Sequence, residues 1–292
     1  MPITFELKST PNLPLDVRNL NPDLICNLSI GEILKIEIGF GNRNSPVSQW
    51  FDVSGDAKTG EVIFNGPLDS VHAIGHSMQS GKIEVQNSAG RHLGAAMSGG
   101  EIIVRGDVDD FAGYEMQGGT IVIHGNAANH LGGCFPGAGY GMNRGTILVA
   151  GSAGKGLGYR MQRGTIVVAS DVGEHAAWQM RAGTVIVFGN CAGSPGIDMK
   201  RGTIFAGRVE SVSESFAEST NSLQSVFDLL KRWLESVTER YGIELPFPEA
   251  GVGGRCWAGD VLTGMRGELV ELYSLHPNPL PRKREQQDAK SE

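Results

Sequence analysis

Residues 159–168 read Tyr159-Arg160-Met161-Gln162-Arg163-Gly164-Thr165-Ile166-Val167-Val168, and the same pattern returns at a fixed distance on both sides. Methionines stand at Met78, Met97, Met116, Met142, Met161, Met180 and Met199, in steps of 19, 19, 26, 19, 19 and 19 residues. Three residues after each comes a glycine: Gly81, Gly100, Gly119, Gly145, Gly164, Gly183 and Gly202. Two past the glycine stand Ile83, Ile102, Ile121, Ile147, Ile166, Val185 and Ile204. Four past it stand Val85, Val104, Ile123, Val149, Val168, Val187 and Ala206. Residues i and i+2 of a strand share a face, so these two columns point the same way and build one continuous core by stacking.

A repeat of 19 residues is too short for a strand–helix unit with its loops, and no helical period lies between the strands. The expected fold is therefore all-β, a right-handed parallel β-helix of about seven 19-residue coils, with a small N-terminal cap and a C-terminal amphipathic helix. The corner glycine has no exception, which predicts a sharp turn with positive φ or a close backbone approach. The column three before the methionine reads Gly75, Gly94, Gly113, Gly139, Gly158, Ala177 and Gly196. Ala177 suggests that this column needs small size rather than positive φ. The methionines are expected to fill the core at an irregular corner. The single step of 26 places a seven-residue insertion around Gly133-Cys134-Phe135-Pro136-Gly137-Ala138, read as an extruded loop.

Working outward, residues 1–59 are out of register and contain the alternating run Ile33-Leu34-Lys35-Ile36-Glu37-Ile38, expected as a β-rich cap. The stretch Gly60–Gly66 reads as an imperfect first coil, and 60–207 as the β-helix. Beyond it, Leu223, Val226, Phe227, Leu230, Trp233, Leu234, Val237 and Tyr241 have helical spacing up to Gly242. Residues 208–276 are expected as helix and cap, including a strand Glu268–Tyr273, and the charged tail 277–292 as disordered.

Composition agrees with an ordered chain. Glycine is 42 of 292 residues, about twice the usual ~7%, yet no collagen-like triplet appears. Net charge is −7, which disfavours nucleic acid. No apolar run reaches ~18 residues and no signal peptide is visible, so no membrane partner and a cytoplasmic location are expected. Cys26, Cys134, Cys191 and Cys256 are far apart and frame no metal site. His72 and His76 are four apart, and His92, His124, His130 and His175 are read as occupying unrelated columns, so neither metal ligands nor catalytic residues are assigned. The glycine clusters at 137–141 and 154–158 belong to the repeat rather than to a nucleotide loop.

Two surface features stand out. The positions before the corner glycine turn basic along the chain: Arg144, Arg163, Arg181, Lys200 and Arg201, with Arg160 one residue before its methionine. Stacked, they form a basic stripe suited either to a solvated face or to a polyanionic ligand or acidic partner. The column three past the glycine is Glu84, Ile103, Val122, Leu148, Val167, Ile186 and Phe205, apolar in six of seven places although it faces outward. Such a patch must be covered, either by the chain's own cap and helix or by another subunit, and burial against another protein is expected for at least part of it.

These coils resemble the G-x-x-M-x-x-G-x-I/V repeat found in the C subunit of formylmethanofuran dehydrogenase and in the C subunit of the formyltransferase/hydrolase complex, over roughly residues 60–207. The same coil type is similar to the C-terminal β-helix domain of the glutamate synthase large subunit. The resemblance implies a non-catalytic scaffold subunit of a formyl-transfer complex in one-carbon metabolism, bacterial and hydrolytic or archaeal with a molybdenum or tungsten redox unit. It implies a methanofuran-type carrier in the complex, no cofactor bound by this chain alone, and a formyltransferase subunit and an amidohydrolase-like subunit as partners. The six basic residues are then candidates to guide a poly-glutamate arm of that carrier. A stand-alone glutamate-synthase-like module and an independent enzyme with a site at a coil corner remain the alternatives.

Overall fold

Short β-branched runs such as Thr165-Ile166-Val167-Val168 extend readily, and a glycine before each lets the chain turn sharply into the strand. The structure, a computed structural model, describes residues 1–220, 223–247, 254–264 and 266–272. Its strands are β1 (Ile3–Leu7), β2 (Leu15–Asp16), β3 (Glu37–Phe40), β4 (Arg43–Pro46), β5 (Phe51–Ser54), β6 (Glu61–Asn65), β7 (Val71–His72), β8 (Lys82–Val85), β9 (Glu101–Val104), β10 (Gln117–Ile123), β11 (Arg144–Val149), β12 (Thr165–Val168), β13 (Thr184–Cys191), β14 (Arg201–Val209), β15 (Ala217–Ser219), β16 (Cys256–Gly259) and β17 (Arg266–Glu271). Three one-turn helices, α1 (Pro22–Ile25), α2 (Ile30–Ile33) and α3 (Val47–Trp50), precede one long helix, α4 (Gln224–Tyr241). Thirteen strands form one large mixed sheet, in the order β15-β16-β17-β14-β13-β12-β11-β10-β9-β8-β6-β1-β5, and β4-β3-β2-β7 form a smaller one. The protein is thus mostly β, with few helices.

Strands one repeat apart pair in parallel and in register. Ile147 lies beside Ile166, Ile166 beside Val185, and Val185 beside Ile204. The ladder extends past the seven repeats, with Val62 of β6 beside Ile83 and Leu269 of β17 beside Ile204. A second file of parallel bridges runs Leu68, Ala89, Val108, Ala127, Ala153, Val172, Cys191, all buried. Between the files, side chains cap the turns across neighbouring repeats. Asp107 Oδ1 accepts from the Asn126 backbone N–H at 2.6 Å, and Asn126 Oδ1 accepts from that of Ser152 at 2.9 Å.

The methionine and the corner glycine are one device. All seven corner glycines have positive φ, from 79° at Gly100 to 118° at Gly183. A Cβ on Gly164 would stand 2.7 Å from the Met142 ε-methyl, one on Gly183 2.7 Å from that of Met161, and one on Gly202 2.9 Å from that of Met180. Each methionine therefore fills the space left by the missing side chain one repeat further on. Two expectations about the other glycine column need correction. Ala177 itself adopts φ of 56°, so the column requires positive φ even where a methyl is tolerated. Gly132, not Gly139, occupies the column in the inserted repeat: its N–H bonds Ala112 O at 2.8 Å and its carbonyl accepts from Met142 N–H at 2.9 Å. The insertion therefore lies between Gly132 and Met142, and Phe135 in it packs on His92, Phe111 and Tyr114.

The N-terminal run Ile33–Ile38 is not one strand. Ser29 and Glu32 form a capping box that turns Ile30–Ile33 into a helix, and β3 starts only at Glu37. At the other end α4 stops at Gly242, whose φ is 64° and whose N–H bonds Thr238 O. The strand expected at 268–273 begins at Arg266; Tyr273 and the tail 277–292 lie outside the described residues.

The outward apolar column is covered by the chain itself, not by a second protein. Ile103, Val122, Leu148, Val167, Ile186 and Phe205 are buried in one cluster with Phe227 and Leu234 of α4 and Ile243 just after it. Of the two covers open from the sequence, it is the chain's own helix whose apolar face closes the patch. The far end of α4 is clamped by Glu101, which accepts from the Tyr241 hydroxyl and pairs with Arg240 at 3.1 Å. Burial first, and the Glu101 hydrogen bond second, push the Tyr241 phenol up to about 12. Its folded value lies above the unfolded ~10, so the contribution is intact below pH ~10 and is lost as pH rises through the folded value. Tyr241→Phe is expected to cost about 1 kcal/mol at pH 7 and to flatten the fall in stability between pH 10 and 12, read by denaturant unfolding at each pH.

Candidate functional site

The residue before each repeat methionine sits at a turn, and in three consecutive repeats it is Arg160, Gln179 and Asp198. Stacking converts that spacing into a polar file. Arg160 Nε donates to Gln179 Oε1 at 2.8 Å, and Gln179 Nε2 donates to Asp198 Oδ2 at 3.5 Å. The Arg160 guanidinium also lies 5.3 Å from the Tyr159 ring centroid, and Tyr159 stacks on Trp178 at 5.0 Å. Beside this file runs the column two before the corner glycine, contributing Arg181 and Lys200. Their backbone N–H groups bond Met161 O and Met180 O, each at 2.8 Å. Together Gly139, Arg160, Gln179, Arg181, Asp198, Lys200 and Thr263 line an open cavity of about 320 Å³.

The six basic residues singled out in the sequence are thus split. Arg160, Arg181 and Lys200 share the cavity, while Arg144, Arg163 and Arg201 do not line it and stand exposed immediately before their corner glycines. Arg201 is paired in register with Arg266, which extends this basic column by one strand. Arg266 was missed, although Arg266-Gly267-Glu268-Leu269 repeats the Arg-Gly-Thr-Ile pattern of Arg201. Gln179 and Asp198 were also missed; their common place before a methionine was the available signal. Among the described residues none of these seven cations forms an ion pair.

His92 and His130 share a column. His92, Phe111 and His130 come from successive repeats; His92 meets the Phe111 ring edge-on at 5.9 Å, and Phe111 and His130 stack at 4.9 Å with their planes nearly parallel. Burial pushes both imidazoles below their ordinary value, which keeps them neutral at pH 7. No group of three His, Cys, Asp or Glu side chains able to hold a metal exists among the described residues, and all four cysteines are free. A second cavity of about 380 Å³ includes Asp171, Arg208 and Glu210. Its carboxylates are engaged as turn caps, Asp171 with Asn190 N–H at 2.7 Å and Glu210 with Gly193 N–H at 2.6 Å. No helix among the described residues is long and apolar enough to cross a membrane.

Comparison with known proteins gives four findings. The family model described as "GXGXG motif" matches residues 68–240. The C subunit of the tungsten-containing formylmethanofuran dehydrogenase 2 of Methanothermobacter marburgensis is 36% identical over 92 residues, covering 30% of this chain and 34% of that protein. The C subunit of the molybdenum-containing formylmethanofuran dehydrogenase 1 of the same organism is 35% identical over 88 residues, covering 30% and 22%. These matches thus span about a third or less of the curated relatives. Among solved structures, the formyltransferase/hydrolase complex (FhcABCD) from Methylorubrum extorquens, crystallised in complex with methylofuran, contains a chain that superimposes with a TM-score of 0.80 at 30% identity. The match covers 92% of this chain and 99% of that one.

Proposed function

The chain belongs to the GXGXG-motif family, and from that premise we propose that it is a scaffold subunit, without an active site of its own, of a formyl-transfer complex in one-carbon metabolism. The observation that carries this reading is the nearly end-to-end correspondence with a chain of the formyltransferase/hydrolase complex. The likeness to the C subunits of formylmethanofuran dehydrogenases supports the same class of chemistry from a different set of organisms. Correspondence over 92% of this chain in one case, and over 34% of the relative in the other, favours the formyltransferase/hydrolase type.

In this reading residues 60–207 wind as a right-handed parallel β-helix; parallel crossovers within one sheet are right-handed in ~98% of cases. Residues 1–59 and 208–276 cap its two ends. The partners are a formyltransferase subunit and an amidohydrolase-like subunit, the location is cytoplasmic, and the carrier is of the methanofuran type, as the methylofuran in the similar complex suggests. The exposed cations Arg144, Arg163, Arg181, Lys200 and Arg201, with the half-buried Arg160, receive the anionic part of that carrier or an acidic face of a partner. Unpaired cations on a chain of net charge −7 support this, since a basic column on an acidic protein focuses the field for an anion.

Affinity purification of the tagged full chain from its native cell is expected to bring down both partner subunits and formyl-transfer activity. In the same background, Arg163→Glu with Arg181→Glu should lower activity or assembly about tenfold or more, with the thermal midpoint preserved. Recovery of a lone monomer would overturn the scaffold reading. Unchanged assembly and transfer in the double variant would reduce the basic column to a solvated face.

A further inference from the structure

We propose that the cavity lined by Arg160, Gln179, Arg181, Asp198, Lys200 and Thr263 binds an N-acylated acidic amino acid, free or as the end of an acidic peptide. The inference rests on the reading of this surface as anion-binding and narrows it to one cavity and one ligand chemistry. The lining carries three cations and one carboxylate, a formal +2, and none of the three cations is engaged in an ion pair among the described residues. A ligand with two carboxylates balances that charge. At about 320 Å³ the cavity lies at the small end of the ligand-site range, room for one such residue rather than a folded partner.

Cations alone accept any anion; Asp198 supplies the selection. Its Oδ2 has one long contact, 3.5 Å from Gln179 Nε2, while a carboxylate offers about four lone-pair positions. A plain dicarboxylate presents only acceptor oxygens and is repelled there, and phosphate, though it keeps a hydroxyl donor at pH 7, has no second, separated charge with which to span Arg181 and Lys200. A ligand whose carboxylates flank an amide N–H places a donor against Asp198 and its charges against Arg181 and Lys200. Gln179 keeps the arrangement from collapsing. Its oxygen is held by Arg160 Nε at 2.8 Å, so its nitrogen faces Asp198, and the amide separates the guanidinium from the carboxylate. Asp198 is fixed from behind by its own backbone N–H, which donates to Asp260 Oδ2 at 3.2 Å. Thr263 closes the wall by donating to Met199 O.

The test is calorimetric titration of the full chain with N-acetyl-L-glutamate, glutarate and inorganic phosphate. N-acetyl-L-glutamate should bind about tenfold tighter than glutarate, the span of one hydrogen bond to a charged group, and phosphate weaker still. Lys200→Ala and Arg181→Ala should each lose about tenfold for both dicarboxylates. Asp198→Ala, with an unchanged unfolding midpoint, should erase the preference and strengthen phosphate. Equal binding of the two dicarboxylates by the native chain, or a preference that survives Asp198→Ala, overturns the proposal. If Arg163→Glu with Arg201→Glu abolishes N-acetyl-L-glutamate binding and Lys200→Ala does not, this cavity is wrong while the anion-binding surface stands. If none of the three anions binds the native chain, both fall. An acetylated tri-glutamate that binds tighter than N-acetyl-L-glutamate assigns the peptide end; equal or weaker binding assigns the free amino acid.

Discussion

Ile166→Asp is expected to leave no folded chain. Ile166 is fully buried, flanked in register by Ile147 and Val185 on the neighbouring strands. Its δ-methyl lies against Gly132 and Gly158, where the backbone turns tightly past the core. An aspartate there has no cation and no donor side chain within the apolar column. It must stay charged and unsolvated or take up a proton, and either costs several kcal/mol. The vacated volume adds a cavity term of about 2 kcal/mol or more. Against a total stability of about 5–15 kcal/mol the combined loss is decisive, because the column is shared: one displaced rung disturbs both neighbours. Circular dichroism and size-exclusion chromatography should find aggregated or unfolded protein, while Ile166→Val should remain folded and lose only about 1 kcal/mol. A soluble Ile166→Asp chain with the native unfolding midpoint would overturn the buried ladder on which the description of the fold rests.

Why the ladder was legible is clear from the same residue. Ile147, Ile166, Val185 and Ile204 are alike because one environment recurs, so spacing alone located the strands, their register and the buried face. What spacing could not supply was anything formed between non-equivalent positions. The outward column Val122–Phe205 left two covers open, the chain's own helix or another subunit, because α4 comes from a different part of the chain and spacing does not say where it docks. The insertion hid the true place of Gly132, since counting back from Met142 lands on Gly139 inside the loop. The histidine column, by contrast, was open to spacing: His92, Phe111 and His130 stand 19 residues apart ahead of the inserted residues, and only counting back from Met142 puts His130 out of column.

The candidate site was half legible. The basic residues were visible as letters, but whether two columns converge depends on which way each turn aims its side chain. Arg160 has φ of 54°, a left-handed turn that no composition or periodicity argument foretells. That turn brings its guanidinium to Gln179 and so into the cavity with Arg181 and Lys200, away from Arg144, Arg163 and Arg201. Asp198 carries the opposite charge and was passed over for that reason, although it is the residue that makes the cavity discriminating rather than merely basic.

The second large effect concerns the corner. Gly164→Ala should cost about 3 kcal/mol, through two separable causes. Its φ of 109° is a conformation that L-residues avoid, worth about 1–2 kcal/mol. In addition the new methyl would stand 2.7 Å from the Met142 ε-methyl and 2.9 Å from the Gly145 carbonyl oxygen. The methionine end can yield; the carbonyl belongs to the neighbouring repeat's backbone and cannot without loosening the parallel ladder. Gly158→Ala provides the control. It too has positive φ, 64°, but its Cβ would meet only ordinary contacts at 3.6 Å and beyond, and its column already contains Ala177. It should cost no more than about 1 kcal/mol. A double-mutant cycle isolates the methionine: Met142→Ala alone loses about 2–3 kcal/mol, but with Gly164→Ala the sum should fall short of additivity by about 1 kcal/mol, since the clash has been removed. Denaturant unfolding of the four chains reads this directly. Strict additivity would mean that methionine and glycine recur at their fixed spacing for unrelated reasons. Coupling of the expected sign means that each repeat is shaped by the one before it.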